Sequence, residues 1–439
     1  MHLLLELTHF TYYSIFFFYF NVRKIQKNFL KANKSAIIIK KSGFLMRRIP
    51  MTTYFPKGNW EETLYQRLNQ LIDTFHASPN TPLHERAYVV FDFDNTSIYN
   101  DIEDHTTLYM TQQLAFRMTA EEFSSSLQAG PFDFNLPISP EFSSLTTLDF
   151  IQLLTTDYCQ LYTQYLSPST SSRPSFSLLQ RSPLFQRFYF HMRVFYTAFN
   201  QRYTRLAGQA WPAYFYQGYS STDLFTLTQQ ALKWGSQLPL TYTSLTAPLL
   251  PSSTQNFRPG FSQGLRLPLD ILHLYQAFKA HQIEVYILSA SPLPLVQAAV
   301  HYFGYPLATD HILAMKLQRD STDHMQNRMA KGAFITQGKG KKEALDQLLK
   351  PLHRQKLPIA FFGDSMGDYN LLQLGPQMKT AVLFNRYLKD NTQAFAQEAV
   401  RTYQDPSAIY FLQGRNEQTG QLYPSQSSLG LDNTLHLFV

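Results

Sequence analysis

Cysteine is nearly absent from this sequence, which has only Cys159 among its 439 residues. A single cysteine excludes an intramolecular disulfide framework and a cysteine-rich zinc site, and it leaves the redox compartment open. The 13 histidines never occur at HExxH or HxxxH spacing, so a zinc hydrolase has no support. The sequence also lacks an internal repeat and the GxxxxGKS/T loop that binds nucleotide phosphates. A hydrophobic fraction of 44% excludes disorder as the main state.

Most of the chain has no excess of positive charge, although the net charge of the whole sequence is +7. Nine of the 38 Lys and Arg but only one of the 31 Asp and Glu lie in residues 1–50, so the rest has 29 bases against 30 acids. A near-neutral chain offers no electrostatic basis for binding the phosphate backbone of nucleic acid. We therefore expect no nucleic-acid partner.

Residues 1–50 form a segment of distinct composition. An apolar run from His2 to Val22 has about the ~20 residues of a membrane helix, but it lacks the flanking features of a secretory signal. Three interpretations stay open: a true start at Met51, which we favour, a membrane anchor, or another leader. We expect a cytoplasmic protein, which would be membrane-anchored or exported, and would contact a membrane, only if residues 1–50 are genuine.

The rest of the chain has the pattern of an α/β protein. Apolar residues recur at helical spacing from Trp60 to Phe75, which predicts an amphipathic helix. Three short apolar runs predict buried parallel strands, each ending in polar residues. They are Ala87–Phe91 before Asp92, Val285–Leu288 before Ser289, and Ile359–Phe362 before Gly363 and Asp364. Because ligands bind at the carboxyl ends of strands in such sheets, we expect these ends to meet at one site.

Nearly 190 residues separate the first two predicted strands, too many for an ordinary connection. We predict a mainly helical domain inserted over residues 97–285, on a core formed by residues 51–96 and 286–439. Between Phe185 and Tyr219 the insertion carries 13 aromatic residues. Helix packing is their ordinary explanation, and the lining of a substrate pocket is the more specific one.

The sequence Asp92-Phe93-Asp94 places two carboxylates one residue apart just beyond the first strand. A loop at a strand end can wrap both acids around one centre. One acid can then attack as a nucleophile while the other donates and removes protons, as covalent catalysis on a phosphate ester requires.

The later strand ends supply the remaining groups for such a reaction. The hydroxyl of Ser289 can donate to a phosphoryl oxygen, and Lys341 offers a positive charge beside two other lysines, Lys339 and Lys342. Asp364 and Asp92 together would form the all-oxygen site that Mg²⁺ prefers. Asp368 follows Asp364 in a glycine-flanked turn.

Jointly, these motifs resemble those of the haloacid dehalogenase superfamily of phosphohydrolases. The resemblance implies a Rossmann-like parallel sheet with an inserted helical C1 cap, and it implies a role for each residue. Asp92 would be the nucleophile and a metal ligand; Asp94 would be the acid and base and would offer its backbone carbonyl to the metal. Ser289 and Lys341 would bind phosphate, Asp364 would ligate Mg²⁺, and Asp368 would orient the ligands.

Within the superfamily, residues 92–103, 288–291 and 411–417 resemble the phosphorylcholine phosphatase-like branch, beside phosphoserine phosphatase. Related enzymes keep an acid that faces the cation of the substrate, and this resemblance puts Glu103 in that role, with Asn95 as a further substrate contact. A solvated helix start is an equally good explanation of Glu103.

We therefore expect a Mg²⁺-dependent phosphomonoesterase that forms an aspartyl phosphate and acts on a small-molecule phosphomonoester. Asp94 must hold its proton near neutral pH, far above the reference pKa of ~3.9, which requires burial or nearby carboxylates. A small amino-alcohol phosphate such as phosphorylcholine is favoured over phosphoserine. A phosphotransferase with the same intermediate and a non-enzymatic membrane-attached binding protein are the alternatives.

Overall fold

The computed structural model describes residues 52–140, 145–170, 172–203, 211–248 and 256–437. The predictions about the apolar run of His2–Val22 and the start at Met51 concern residues outside these ranges. In the described part of the chain, no helix has the length and apolar character needed to cross a bilayer.

In this α/β fold, helices lie before the first strand and between later strands along the chain. In chain order they are α1 (Glu62–Phe75), α2 (Ile102–Gln112), α3 (Ala120–Leu127), α4 (Thr147–Leu161), α5 (Phe176–Arg181), α6 (Pro183–Tyr203), α7 (Ser221–Gln237), α8 (Leu269–Ala280), α9 (Leu293–Phe303), α10 (Lys339–Ala344), α11 (Lys350–Leu352), α12 (Tyr369–Leu372) and α13 (Gln393–Arg401). The amphipathic helix predicted from Trp60 to Phe75 is α1, and the Glu61 side chain caps it by accepting a hydrogen bond from the Leu64 amide.

The strands form one large sheet and three small hairpin-like pairs. They are β1 (Tyr88–Phe91), β2 (Thr241–Ser244), β3 (Ala247–Pro248), β4 (Asn256–Phe257), β5 (Gly260–Gln263), β6 (Glu284–Pro292), β7 (Ile312–Met315), β8 (Leu317–Arg319), β9 (Met325–Met329), β10 (Ala360–Gly363), β11 (Thr380–Phe384), β12 (Tyr410–Asn416), β13 (Gln421–Tyr423), β14 (Ser428–Leu429) and β15 (Leu435–His436). The large sheet has the order β15-β14-β12-β11-β10-β1-β6-β7, with β13 beside β12. Its centre, from β12 to β7, is parallel.

Both faces of the central strands are buried, which explains why their sequences read as unbroken apolar runs. In β1, Val89 and Phe91 pack into one hydrophobic cluster, while Tyr88 and Val90 pack into a second cluster on the opposite face. The Phe91 ring stacks on Phe362 of the neighbouring β10, with 3.9 Å between ring centroids. The predicted parallel α/β fold is confirmed.

Residues 97–285, which we call the insertion, extend from the loop after β1 to the start of β6, and their described parts fold mainly as helices. Aromatic side chains form much of its interior, as where Phe123 stacks on Tyr158 with 4.1 Å between centroids. Most of the 13 aromatic residues pack in this way, for example Phe188 and Phe195, which are fully buried. The division of the chain into separate core and cap domains stays a prediction.

The hairpin of β8 and β9 joins the sheet side of the molecule to the insertion. The backbone amide of Gly218 donates to the carbonyl of Met325 at 2.9 Å, and the Met325 amide donates back to the Tyr219 carbonyl at 2.9 Å. The Asn327 side chain also donates to the Ser125 hydroxyl at 3.0 Å. The insertion is therefore fastened to the rest of the chain beyond its two covalent connections.

Candidate active site

The carboxyl ends of three neighbouring strands, β10, β1 and β6, bring the predicted motifs together. Asp92 directly follows β1, and its amide donates to the Phe362 carbonyl at 2.9 Å. Asp364 directly follows β10. Ser289 differs from the sequence prediction because β6 does not end before it but continues to Pro292, with a shift of register after Leu288.

Lys341 lies at the centre of the site and links two of the acids. Its Nζ is 2.5 Å from Asp92 Oδ1 and 2.6 Å from Asp368 Oδ1, and its side chain is 2% exposed. Burial alone would lower the pKa of Lys341, but Asp368 and Asp92 more than offset this and raise it. Of the three neighbouring lysines, Lys342 instead pairs with Asp346 in a partly exposed i,i+4 ion pair.

The first turn of α10, which follows a tight loop ending at Gly338, places Lys341 in the site. Gly340 has no room for a side chain, since a Cβ there would lie 1.8 Å from the Ile335 carbonyl oxygen. The Gly338 amide donates to the Gly367 carbonyl at 2.8 Å, which ties this loop to the turn that carries Asp364 and Asp368. Gly340 is therefore required next to Lys341, because the backbone of the first turn of α10 packs closely against the carbonyl of Ile335.

Asp92, Asp364 and Asp368 form a buried acidic cluster whose ligand atoms all lie within 4.8 Å of one another. Asp368 is already fully engaged, because its Oδ2 accepts the amides of Asp364 at 2.9 Å and Ser365 at 3.3 Å while its Oδ1 meets Lys341. Burial and the charges of Asp368 and Asp364 raise the pKa of Asp92 well above its usual value, against the effect of Lys341. Such an all-carboxylate donor set fits a hard divalent cation such as Mg²⁺.

Asp94 lies beside the cluster, with both carboxylate oxygens hydrogen-bonded. Its Oδ1 accepts the Ile102 amide at 2.7 Å, and its Oδ2 accepts the Ser291 hydroxyl at 2.8 Å. Burial raises the pKa of Asp94 to about 6, although these hydrogen bonds oppose the shift. The direction agrees with the expectation that this acid holds its proton near neutral pH.

The two serines of β6 occupy different positions at the site. Ser289 is fully buried, and its hydroxyl lies 3.4 Å from Asp94 Oδ2, farther than that of Ser291. Ser291 faces the cavity described below, and its amide donates to the Ser289 hydroxyl at 3.1 Å. The role of Ser289 in holding phosphate stays a prediction, and Ser291 is a hydroxyl at the cavity to which the sequence analysis gave no role.

A cavity of about 330 Å³ opens above the strand ends. Residues of the sheet side and of the insertion line it together: Asp92, Asp94, Asn95, Asp101, Glu103, Tyr196, Trp211, Pro212, Ala290, Ser291, Met315, Gln337, Lys341, Asp364, Ser365, Gly367 and Arg386. Asn95 adopts a left-handed conformation with φ of 58°, and its carbonyl accepts a hydrogen bond from Arg415 at 3.2 Å. Every predicted site residue except Ser289 and Asp368 therefore lines one cavity.

Glu103 reaches the cavity from the first turn of α2 and is nearly buried. Its Oε1 has no hydrogen-bond partner among the described residues. Burial, and then the charges of Asp101, Asp94 and Asp104, raise the pKa of Glu103 well above its usual value. This burial argues against a solvated helix start as the explanation of Glu103.

Arg386 is a site residue that the sequence reasoning missed. It follows β11, and its guanidinium pairs with Asp364 Oδ2. Burial alone would raise the pKa of Asp364, but Arg386 more than offsets this and holds it below its usual value. The sequence held a signal for it, since the apolar run Ala381–Phe384 is followed by polar residues, as the three recognised apolar runs are.

Comparison with known protein families agrees with this arrangement. Residues 178–373 match the model of the haloacid dehalogenase-like hydrolases, a range that contains Ser289, Lys341, Asp364 and Asp368. This part of the chain is therefore similar to the haloacid dehalogenase-like hydrolases. Asp92 and Asp94 lie before the matched range, and the fold brings them to the same strand ends.

The comparison with solved structures found several similar chains, of which the first supports the fold. A conserved protein of unknown function from Anaerococcus prevotii is 22% identical with a TM-score of 0.74, over 87% of this chain and 99% of that one. A phosphoserine phosphohydrolase-like protein from Francisella tularensis is 14% identical with a TM-score of 0.29, over 68% and 87%. Cytosolic 5'-nucleotidase IIIB bound to cytidine is 11% identical with a TM-score of 0.31, over 88% and 93%. No curated protein sequence matches this chain.

Proposed function

We propose that this protein is a Mg²⁺-dependent phosphomonoesterase that forms an aspartyl phosphate on Asp92. The observation that carries the proposal is that two carboxylates with different contacts lie at one cavity. Asp92 Oδ1 lies 2.5 Å from the Lys341 ammonium, within the acidic cluster that can hold a cation. Asp94 lies beside this cluster, where its oxygens accept hydrogen bonds from the Ile102 amide and the Ser291 hydroxyl. An acid beside a cation is suited to nucleophilic attack, and a second buried acid at the same cavity is suited to proton transfer.

In the proposed first step, a carboxylate oxygen of Asp92 attacks phosphorus while the bond between phosphorus and the alcohol oxygen breaks. Asp94 gives its proton to the leaving oxygen. In the second step Asp94 takes a proton from water, which attacks phosphorus and releases phosphate and the free Asp92 carboxylate. Lys341 offsets the negative charge of the phosphoryl group in both steps.

Asp92 and Asp364 would hold Mg²⁺, with the backbone carbonyl of Asp94 as the further ligand that the family resemblance implies. When bound, the ion would supply positive charge beside the phosphoryl oxygens. Asp368 would keep Lys341 and the Asp364 turn in place, because its two oxygens already bind both.

The test is phosphate release from a panel of small phosphomonoesters, with Mg²⁺ and then with excess EDTA. We expect release that depends on Mg²⁺. A phosphotransferase would instead move the phosphoryl group to an added alcohol, so a phosphorylated acceptor formed in preference to free phosphate would contradict hydrolysis. Absence of both products across the panel would favour a binding protein.

For the substrate, we propose a small amino-alcohol phosphate such as phosphorylcholine. The support is the buried Glu103 carboxylate, which lines the cavity beside Tyr196 and Trp211. A quaternary ammonium cannot donate hydrogen bonds, so a carboxylate and aromatic faces are the groups that recognise it. A cavity of about 330 Å³ suits a small substrate.

Phosphoserine, the alternative substrate, carries a carboxylate that needs a basic partner. Two arginines of the insertion are already paired, Arg187 with Asp157 at 2.6 Å and Arg193 with Asp104 at 2.7 Å. The side chains of Arg202 and Arg205 lie outside the described residues. Comparing kcat/KM for phosphorylcholine, phosphoethanolamine and phosphoserine tests the choice. A tenfold preference for phosphoserine would overturn the amino-alcohol proposal and leave the phosphatase proposal intact.

A serine hydrolase is a candidate to weigh, because Gly363-Asp364-Ser365-Met366-Gly367 has the GxSxG spacing of a nucleophile elbow. Ser365 instead caps the short turn Met366–Asp368, where its hydroxyl accepts a backbone amide. Among the described residues, no histidine forms a hydrogen bond with Ser365. The GxSxG match therefore reflects the glycine-flanked acidic turn.

A further inference from the structure

Arg386 reaches the acidic cluster from a strand that carries none of the recognised motifs. Its guanidinium pairs with Oδ2 of Asp364, whose side chain is 3% exposed, while Arg386 itself is 30% exposed and lines the cavity. The other oxygen of Asp364, Oδ1, lies 3.5 Å from the Thr96 hydroxyl. Oδ2 of Asp364 is thus occupied by Arg386, whereas Oδ1 is turned toward Thr96, which lies just after Asp92 and Asp94 in the chain.

Arg386 is the cation in direct contact with the Asp364 carboxylate, whereas the direct ion pairs of the neighbouring Lys341 and Arg415 are with other acids. Lys341 binds Asp92 and Asp368. Arg415 pairs with Glu417 at 3.2 Å and lies over the Tyr99 ring at 4.5 Å.

The backbone beneath Arg386 is firmly held. β11 pairs with β10 so that Leu383 lies opposite Gly363, which brings residue 386 beside Asp364. The Asn385 side chain donates to the carbonyls of Gln426 at 2.8 Å and His436 at 3.0 Å, and its amide donates to Gln413 at 2.8 Å. The Asn385 carboxamide oxygen also accepts the Tyr387 amide at 2.9 Å. Because the backbone next to Arg386 is held by these hydrogen bonds, the Arg386 side chain can hold the Asp364 carboxylate in one orientation.

We infer that Arg386 is a positioning residue that fixes the Asp364 carboxylate as a ligand for the divalent cation. By holding Oδ2, it directs Oδ1 toward the space shared with Asp92. Partners of this kind set the orientation of ligating side chains, and their loss commonly lowers metal affinity by roughly 10- to 100-fold. The inference rests on the proposed metal-dependent function, and it adds a residue that acts through Asp364.

The test measures Mg²⁺ binding directly, by calorimetric titration of the full chain and by the rise of Tm with Mg²⁺ concentration. We expect Arg386→Gln to weaken Mg²⁺ binding by roughly 10-fold or more. Arg386→Lys keeps the charge but loses the planar fork, so it should recover part of the affinity. Arg401→Gln, which alters an exposed pair with Glu398, is the matched control and should bind Mg²⁺ like wild type.

Several outcomes separate this role from others. Mg²⁺ affinity of Arg386→Gln within twofold of wild type would overturn the inference, and so would tighter binding. A raised KM for substrate at saturating Mg²⁺ with unchanged Mg²⁺ affinity would show that Arg386 binds the substrate anion instead. If Arg386→Gln does not fold, the Mg²⁺ titration of Arg386→Lys takes its place. Weaker Mg²⁺ binding by Arg386→Lys would then support the inference, and affinity within twofold of wild type would overturn it. If wild type binds Mg²⁺ and Arg386→Gln loses it while no phosphomonoester is hydrolysed, the inference stands and the proposed function fails.

Discussion

The Lys341 ammonium and the Asp92 carboxylate form a buried pair with 2.5 Å between Nζ and Oδ1. The same ammonium binds Asp368, so one lysine compensates two acids away from solvent. Removing one partner of such a group leaves buried charge behind, which costs more than the pair itself contributes.

Lys341→Met should therefore destabilise the protein and abolish its activity. Loss of the ammonium leaves Asp92 and Asp368 unpaired in the interior, at a cost of about 3–5 kcal/mol in the free energy of unfolding. Urea unfolding measures this. The control is Lys342→Met, whose partly exposed pair with Asp346 should be worth about 0.5 kcal/mol or less. Equal losses in the two variants would contradict the central position of Lys341.

Asp92→Asn should remove phosphatase activity while the protein still folds. The amide has nearly the shape of the carboxylate, but it cannot attack phosphorus and is a poor metal ligand. We expect p-nitrophenyl phosphate hydrolysis to fall by roughly 10³-fold or more, with far-UV circular dichroism unchanged. A variant that still turns over at close to the wild-type rate would refute the nucleophile assignment.

The rate with a poor leaving group should decline above about pH 6. Burial raises the pKa of Asp94 to about 6, so the proton that it donates is present below that pH and is lost tenfold per unit above it. An alkyl phosphate should show this decline in single-turnover rates, whereas p-nitrophenyl phosphate, whose leaving group needs no proton, should not. Asp94→Asn should be slow with the alkyl phosphate at every pH. A common pH profile for both substrates would argue against Asp94 as the acid.

Glu103→Gln should raise KM for phosphorylcholine by tenfold or more and leave p-nitrophenyl phosphate nearly unaffected. The carboxylate lies buried in the cavity, where a cationic group would restore its charged form against the raised pKa. Glu121→Gln, in the exposed first turn of α3, is the control. Equal changes for the cationic and the neutral-tailed substrate would assign Glu103 a structural role.

The sheet could be predicted from sequence because its strands are buried on both faces, which leaves unbroken apolar runs such as Val89–Phe91 that end at polar residues. The sequence does not separate Lys341 from its neighbours Lys339 and Lys342 by any strong local pattern, because all three lie in the first turns of α10. The buried contacts of Lys341 depend on the close packing of this turn at Gly340.

Other features depend on contacts that no local pattern encodes. The approach of Arg386 to Asp364 requires the pairing of β10 with β11. Ser291 reaches Asp94 because β6 runs past Ser289 with an irregular register, which an apolar run ending at Leu288 does not reveal. Tyr196 and Trp211 line the cavity while Phe188 and Phe195 pack inside the insertion, although all four have the same aromatic character in the sequence.

The hairpin of β8 and β9 limits how far the insertion behaves as an exchangeable module. Met325 exchanges backbone hydrogen bonds with Gly218 and Tyr219, so the surface that receives the insertion is built partly from residues far beyond its end at residue 285. A chimaera that replaces residues 97–285 alone would leave the Met325 amide and carbonyl facing a foreign backbone. Transfer of substrate specificity between relatives would therefore need residues 317–329 to be grafted together with the insertion.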